Sequence, residues 1–234
     1  MSFTITIDKR KVLVDEGCTL IDAAADNGVF IPNLCYTRGK PCLGTCRVCS
    51  VRVNGKVTAA CTVPVQPGMV VDVNEPEVAE MRKLLVEALF SEGNHNCPSC
   101  EKSGRCELQA VAYEVEMTAS PFPYRFPKRE REDAADHIFL ERDRCIFCQR
   151  CVEHVRDEET GQAIFAIHGR GTKARIEIDV GLANKLTPEQ VHAAAELCPV
   201  GCILEKGVGF EDPMGSRKFD VKSLRRRMLE GETS

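Results

Sequence analysis

Long hydrophobic runs are missing from this chain. No stretch of its 234 residues approaches the ~20 apolar residues that a membrane-spanning helix needs. The N-terminal MSFTITIDKRKVLV alternates polar and apolar residues where a secretory signal would carry an apolar core, and no twin-arginine signal is seen. An excess of charge of one sign is also missing: a formal net charge of −4 and a pI of about 5.8 leave no footprint for nucleic acid or an anionic membrane surface. The basic run Arg225, Arg226, Arg227 reads as a solvated helix face or a partner contact. No Walker phosphate loop, Ser-His-Asp set or paired-carboxylate signature is present, so no catalytic residues are expected. GRGTKA, residues 169–174, comes near a dinucleotide fingerprint, but it joins one strand-like segment to another and reads as a hairpin turn. These absences lead us to expect a cytoplasmic protein with no nucleic-acid or membrane partner and no substrate site of its own.

What the chain has in abundance is cysteine, 14 residues. In a reducing cytoplasm so many thiols are not expected to pair as disulfides, which turns the question to the metal they hold.

The fold class expected is α+β, in three blocks. Residues 1–75 read as a β-grasp domain. Phe3, Ile5 and Ile7 alternate, a turn spans Asp8 to Lys11, and Val12 and Val14 resume the pattern. A helix then runs from a Thr19 cap to Gly28, and Val48, Val51 and Val53 lead into an Asn54-Gly55 turn and a second strand pair. Residues 76–127 read as a helical segment with a connector. Val78, Met81, Leu84, Leu85, Ala88 and Leu89 form one apolar stripe for a core, Gly93 ends the helix, and SPFPYRFP (120–127) is extended. Residues 128–210 read as a ferredoxin-like βαββαβ domain. Its elements are a strand at HIFLERD, a helix from Cys148 to Arg156, strands at 164–167 and 175–179, a helix opening at Thr187-Pro188 with Gln190, and a strand at 203–204. Residues 211–234 read as a C-terminal tail rich in Arg and Glu.

Each block carries its own cysteine set. In the first, Cys35, Cys46, Cys49 and Cys61 are separated by 10, 2 and 11 residues, near the plant-type [2Fe–2S] pattern but with a longer first gap. Cys42, four residues before Cys46, is an alternative first ligand on spacing alone. In the second, Cys97, Cys100 and Cys106 are three thiols for a four-cornered cubane, and His95 is the only imidazole at hand for the fourth corner. An imidazole there removes one negative charge relative to a thiolate and raises the reduction potential. In the third, RDRCIFCQRCVEHV places Cys145, Cys148 and Cys151 at two successive gaps of two, and Cys198 followed by Pro199 supplies the fourth thiol. Val155 stands where a two-cluster ferredoxin carries its next cysteine, so one [4Fe–4S] cluster is expected here.

The cofactors expected are therefore one [2Fe–2S] and two [4Fe–4S] clusters. Zinc is the rival, but paired Cys-x2-Cys arms of zinc ribbons sit 15 to 20 residues apart and would leave the third thiol of the 145/148/151 run surplus. Cys18, Cys42 and Cys202 are left over as small buried hydrophobes, and His137, His154, His168 and His192 have no ligand-like neighbours. Gly44, Gly104 and Gly201 stand beside ligands, where backbone N–H groups could approach sulfur.

IPNLCYTRGKPCLGTCRVCSV, NHNCPSCEKSGRCELQ and ERDRCIFCQRCVE with CPVG resemble the N-terminal cluster region of the large iron–sulfur subunit of respiratory complex I, of NAD-linked formate dehydrogenases and of iron-only hydrogenases. The likeness covers roughly residues 1 to 205. It implies that Cys35, in the IP-x-x-C-Y position, is the first [2Fe–2S] ligand. The family commonly carries His-x3-Cys before the second cluster, whereas here only Asn96 separates His95 from Cys97. The larger chains continue into molybdopterin-type or active-site domains that are not expected in these 234 residues, and the sequence resembles the small iron–sulfur subunit in the diaphorase half of soluble NAD-reducing [NiFe] hydrogenases.

That resemblance implies a relay of single electrons within a hetero-oligomer that converts H2 and NAD+ into NADH and H+. FMN, NAD and the Ni–Fe centre would lie on partner subunits: a flavin- and NAD-binding diaphorase subunit, and the hydrogenase small and large subunits. A relay subunit of an NAD-dependent formate dehydrogenase and a zinc-stapled assembly scaffold are the alternative readings.

Overall fold

The N-terminal alternation becomes a hairpin in the computed structural model, which describes residues 1–210 and 212–232. β1 (Ser2–Ile7) and β2 (Arg10–Asp15) pair antiparallel, with Asp8 and Lys9 both left-handed in the two-residue turn, the twist that suits a tight hairpin. α1 (Leu20–Asp26) opens at Thr19, whose hydroxyl accepts the Asp22 N–H at 3.3 Å. β3 (Ser50–Val53) and β4 (Lys56–Ala59) flank the left-handed Asn54-Gly55 turn. β5 (Val70–Asp72) then inserts parallel to β1 and antiparallel to β3, giving the order β2-β1-β5-β3-β4. Ile5, Ile7, Leu20, Val51 and Val71 fill the core of this β-grasp unit.

α2 (Pro76–Glu92) starts on Pro76 as its motif predicts, yet the face it buries coincides only in part with the expected apolar stripe, at Val78. Leu85 and Leu89 pack inward, but Leu84 is 37% exposed, and the most buried line is Val78, Arg82, Val86, Glu87 and Ser91. The physical reason is local satisfaction of polar groups. Arg82 donates to the carbonyls of Val73 and Val78, and the Ser91 hydroxyl bonds the Glu87 carbonyl and the Ser120 hydroxyl, so these side chains can be buried against the β-grasp unit and the connector. α3 (Glu107–Glu114) packs on α2, and 120–127 is free of regular structure as expected.

The third block keeps the βαββαβ order, with one added short helix. β6 (Ile138–Leu140), α4 (Arg150–His154), β7 (Phe165–His168), β8 (Arg175–Ile178), α5 (Val180–Ala183), α6 (Pro188–Leu197) and β9 (Ile203–Glu205) follow one another. The strands pair as two ribbons, β6 with β9 and β7 with β8, and GRGTKA is the β7–β8 connection. α6 carries the full capping box of Thr187 and Gln190. The helix expected from Cys148 to Arg156 shortens to Arg150–His154, because Phe147 and Gln149 are left-handed at φ 52° and 65°.

The expected tail is packed. α7 (Lys218–Val221) and α8 (Leu224–Leu229) follow, Leu224 is buried, and α8 lies against α3 and α1. Arg225 pairs with Glu114 at 2.8 Å and covers the Phe30 ring, so this arginine is committed within the chain. Residues 211, 233 and 234 of that segment lie outside the described residues. No helix among the described residues is long and apolar enough to cross a membrane.

Candidate metal centres

The first thiol set lies where the loop after α1 meets β3 and β4. Cys49 and Cys61 approach to 3.3 Å between sulfurs, and Cys46 is within hydrogen-bonding reach of Cys35. Two thiolates on one tetrahedral metal, with metal–sulfur bonds of about 2.3 Å, stand about 3.8 Å apart. Cys35, Cys46, Cys49 and Cys61 thus stand near enough to one another for a two-iron site. Hydrogen bonds from Cys42, then Cys46 and Cys61, hold the Cys35 thiol far below its ordinary pKa, and Cys61 does the same for Cys49. A thiolate is the metal-binding form.

Cys42 is not the isolated hydrophobe expected of it. Its sulfur is 3.7 Å from both Cys35 and Cys61, and the three sulfurs lie within 4.8 Å of one another. The Gly44 N–H donates to the Cys42 sulfur at 3.4 Å. Gly44 holds φ +67°, and a Cβ there would meet Thr62 Cγ2 at 2.8 Å and lie 3.9 Å from the Cys61 sulfur. Gly44→Ala is therefore expected to cost roughly 1–2 kcal/mol in backbone strain and to lower iron occupancy of this site alone. Iron analysis with EPR checks it, and parent-like two-iron signals in the variant would count against this account of the loop.

At the second site, Gly93 occupies the place where the resembling family carries its histidine, four residues before Cys97. A Cβ at Gly93 would stand 2.2 Å from His95 Nε2, so the His95 ring fills the room that the glycine leaves. The shorter spacing noted in the sequence is thereby compensated in space. His95 Nε2 is enclosed without a hydrogen-bond partner, and His95, Cys97, Cys100 and Cys106 line one small pocket with Phe90 and Gly201. Burial, then Arg144 and Arg129, push the imidazole pKa down to about 4, so the ring is neutral with a lone pair available at neutral pH. An orphaned nitrogen beside three thiols fits a metal-held corner. Cys106 caps α3, its sulfur accepting the Gln109 N–H at 3.5 Å; burial raises this thiol to about 12.

The third site forms where the 145–151 loop meets the end of α6. Cys145, Cys148, Cys151 and Cys198 lie close enough to perturb one another electrostatically, burial being the largest effect on Cys148 and Cys151. The Phe147 N–H donates to the Cys145 sulfur at 3.4 Å. Cys202 sits among them, 2% exposed, its thiol close enough to Cys145 and Cys198 to perturb both and to lower Cys198 to about 6. This residue was also read as a bystander, and it is a fifth sulfur at its site.

The glycines beside the ligands play different parts. Gly201, three residues after Cys198 of the third set, lies against the second: a Cβ there would be 2.8 Å from the Cys100 sulfur. The Gly104 N–H bonds Gln109 Oε1 and not a sulfur. Cys18 is apart from all three sites, its thiol donating to the Asp15 carbonyl at 2.9 Å, and His192 pairs with Glu205 at 2.8 Å.

The third site adjoins the other two. Thr45 Oγ1 donates to the Cys148 carbonyl at 3.3 Å, tying the first loop to the third. The Pro199 carbonyl accepts the Glu107 N–H at 2.8 Å, tying the third to α3 and Cys106. Arg150, 1% exposed, joins all three: it forms a two-pronged pair with Glu107 at 2.7 and 2.8 Å and donates to the carbonyl of Tyr36, beside Cys35, at 2.8 Å. Buried Lys102, bonded to Ala195 O and Glu196, adds a second cation near Cys100 and Cys198. Such cations offset the negative charge of thiolate-rich sites.

Comparison with known proteins covers the same three blocks. The 2Fe-2S iron–sulfur cluster binding domain family matches residues 1–76, the NADH-ubiquinone oxidoreductase-G iron–sulfur binding region matches 82–121, and the ferredoxin-like domain of NADH-quinone oxidoreductase subunit 3 matches 135–204. The NAD-reducing hydrogenase HoxS subunit gamma of Cupriavidus necator is 63% identical over 232 residues, 99% of each chain. The mitochondrial NADH-ubiquinone oxidoreductase 78 kDa subunit of Neurospora crassa is 35% identical over 93% of this chain, which spans only 29% of that subunit. A chain in the crystal structure of an NAD+-reducing [NiFe]-hydrogenase in the H2-reduced state superposes with a TM-score of 0.89 at 36% identity, each chain fully covered. With its three cysteine-bearing blocks matched in order and its whole length shared, the chain belongs to the family of NAD-reducing hydrogenase gamma subunits.

Proposed function

We propose that this chain relays single electrons between a hydrogenase pair carrying the Ni–Fe centre and a diaphorase subunit carrying FMN and NAD, in the cytoplasm. Iron–sulfur clusters at these sites would take up and pass on one electron at a time. The observation that carries the reading is the adjacency of three ligand sets in a chain that is similar to a hydrogenase gamma subunit over its whole length.

The residues assigned are Cys35, Cys46, Cys49 and Cys61 for a [2Fe–2S] cluster, His95, Cys97, Cys100 and Cys106 for one [4Fe–4S] cluster, and Cys145, Cys148, Cys151 and Cys198 for the other. None is a catalytic residue. The contacts above favour the order first, third, second along the chain's interior. Arg150, Lys102 and Arg144 hold positive charge near the sulfurs, and Gly201 lets the backbone approach Cys100 closely. The likeness to hydrogenase subunits favours this reading over the formate dehydrogenase one.

A half-reaction assay on the intact complex tests the relay. Cys148→Ser is expected to lower hydrogen-driven NAD reduction more than tenfold while dye-coupled hydrogen oxidation and dye-coupled NADH oxidation stay near parent rates. Equal loss of all three activities, or of none, would rule the relay role out.

A further inference from the structure

The first site holds one sulfur more than a two-iron cluster needs. Cys35, Cys42, Cys46, Cys49 and Cys61 converge, and Cys42 is 3.7 Å from the sulfurs of Cys35 and Cys61. That is within about 0.1 Å of the separation of two thiolates sharing one tetrahedral metal. Among the described residues, Cys35, Cys42 and Cys61 moreover form a group of three whose ligand atoms lie mutually within 4.8 Å. The residues around Cys42 explain how it could move without disturbing the sheet. Arg38 to Pro41 are exposed and form neither helix nor strand, and Gly44, two residues on, has the positive φ of a pivot. Cys35 lies at the other end of the same loop and is buried, whereas Cys42 is only half-buried. The Gly44 N–H already donates to the Cys42 sulfur, so this residue is held facing the site.

We propose that Cys42 is an exchangeable fifth ligand of the [2Fe–2S] site, able to take the coordination position of Cys35. The inference rests on the assignment of a two-iron cluster to this site. The exchange is balanced without a change of oxidation state. The Cys42 thiol gives up its proton and forms an iron–sulfur bond, the Cys35–iron bond breaks, and the Cys35 sulfur takes up one proton. The cluster charge is unchanged. What changes is the exposure of one ligand, from a buried cysteine to a half-buried one. A site built this way keeps its cluster when the buried ligand is lost.

The test uses the whole complex, purified without oxygen, carrying Cys35→Ala, Cys42→Ala or both, with the parent alongside. Alanine cannot ligate iron, so a two-iron cluster in Cys35→Ala requires another donor. We expect Cys35→Ala to retain at least half of the two-iron EPR signal, with iron–sulfur vibrations of an all-sulfur ligand set. Cys42→Ala should match the parent, and the double variant should lose the signal at least fivefold. Alkylation read by mass spectrometry gives a second readout: Cys42 should be labelled in the folded parent and protected in Cys35→Ala. Should Cys35→Ala fail to fold, Cys35→Ser decides, since an all-sulfur spectrum supports exchange and an oxygen-ligated one overturns it. A folded Cys35→Ala that has lost the cluster as fully as the double variant also overturns it. Absence of a two-iron signal from the parent would instead refute the cluster assignment itself.

Discussion

Replacing Arg150 with methionine is expected to lower the stability of the chain by about 3–5 kcal/mol and to reduce iron content at more than one site. The guanidinium is almost fully buried and serves three partners that lie far apart in sequence: Glu107 after the second cysteine set, Tyr36 beside Cys35, and Leu197 before Cys198. Removing it leaves the Glu107 carboxylate buried without its cation, and the penalty for that orphaned charge dominates the loss. A prediction about the pair follows. Arg150→Met with Glu107→Leu removes both charges together, and should recover most of the stability while leaving the three loops less firmly registered. Denaturation midpoints and iron per chain, compared among parent, single and double variants, check this. A single variant within 0.5 kcal/mol of the parent would show that Arg150 is not the junction described.

The second large effect concerns His95. Its Nε2 is enclosed and unpartnered, and the ring lies over Gly93 beside Cys97, Cys100 and Cys106. His95→Cys exchanges a neutral donor for an anionic one. The added charge should lower the reduction potential of that cluster by on the order of 100 mV and abolish nitrogen hyperfine coupling in pulsed EPR. Gly93→Ala attacks the same feature from the other side, since its Cβ would displace the imidazole. It should weaken the nitrogen coupling without adding a charge. Unaltered nitrogen coupling in His95→Cys would remove the imidazole from the ligand set.

Much of this was legible in the residues because it depends on local chemistry. The caps at Thr19 and Thr187, the Asn54-Gly55 turn and the strand alternation of Phe3, Ile5 and Ile7 each report on neighbours a few residues away. The closely spaced runs Cys46/Cys49, Cys97/Cys100 and Cys145/Cys148/Cys151 were legible by spacing, because short gaps leave the backbone few ways to wrap them, whereas Cys35 was singled out by the resemblance and Cys198, separated from Cys151 by 46 residues, is brought in by the fold. Features set by distant contacts could not be read this way. Spacing counted Cys42 and Cys202 but could not show that their sulfurs join Cys35 and Cys61, or Cys145 and Cys198. The left-handed residues Arg47, Phe147 and Gln149 carry ordinary side chains, so nothing local marked the turns that shorten α4 and aim the cysteines inward. The polar buried line of α2 escaped a pattern that counts only apolar residues. Arg150 looked like any surface arginine in a cysteine-rich loop, and only the fold gives it Glu107 and Tyr36. The one signal available for the His95 arrangement was Gly93 itself, a glycine where the resembling family places a ligand.

Iron and acid-labile sulfide per chain, measured with zinc on protein purified without oxygen, test the central claim most directly. The account predicts about ten iron and ten sulfide per chain, from one two-iron and two four-iron sites, with broad visible absorption and no stoichiometric zinc. A folded, colourless protein without labile sulfide would contradict it.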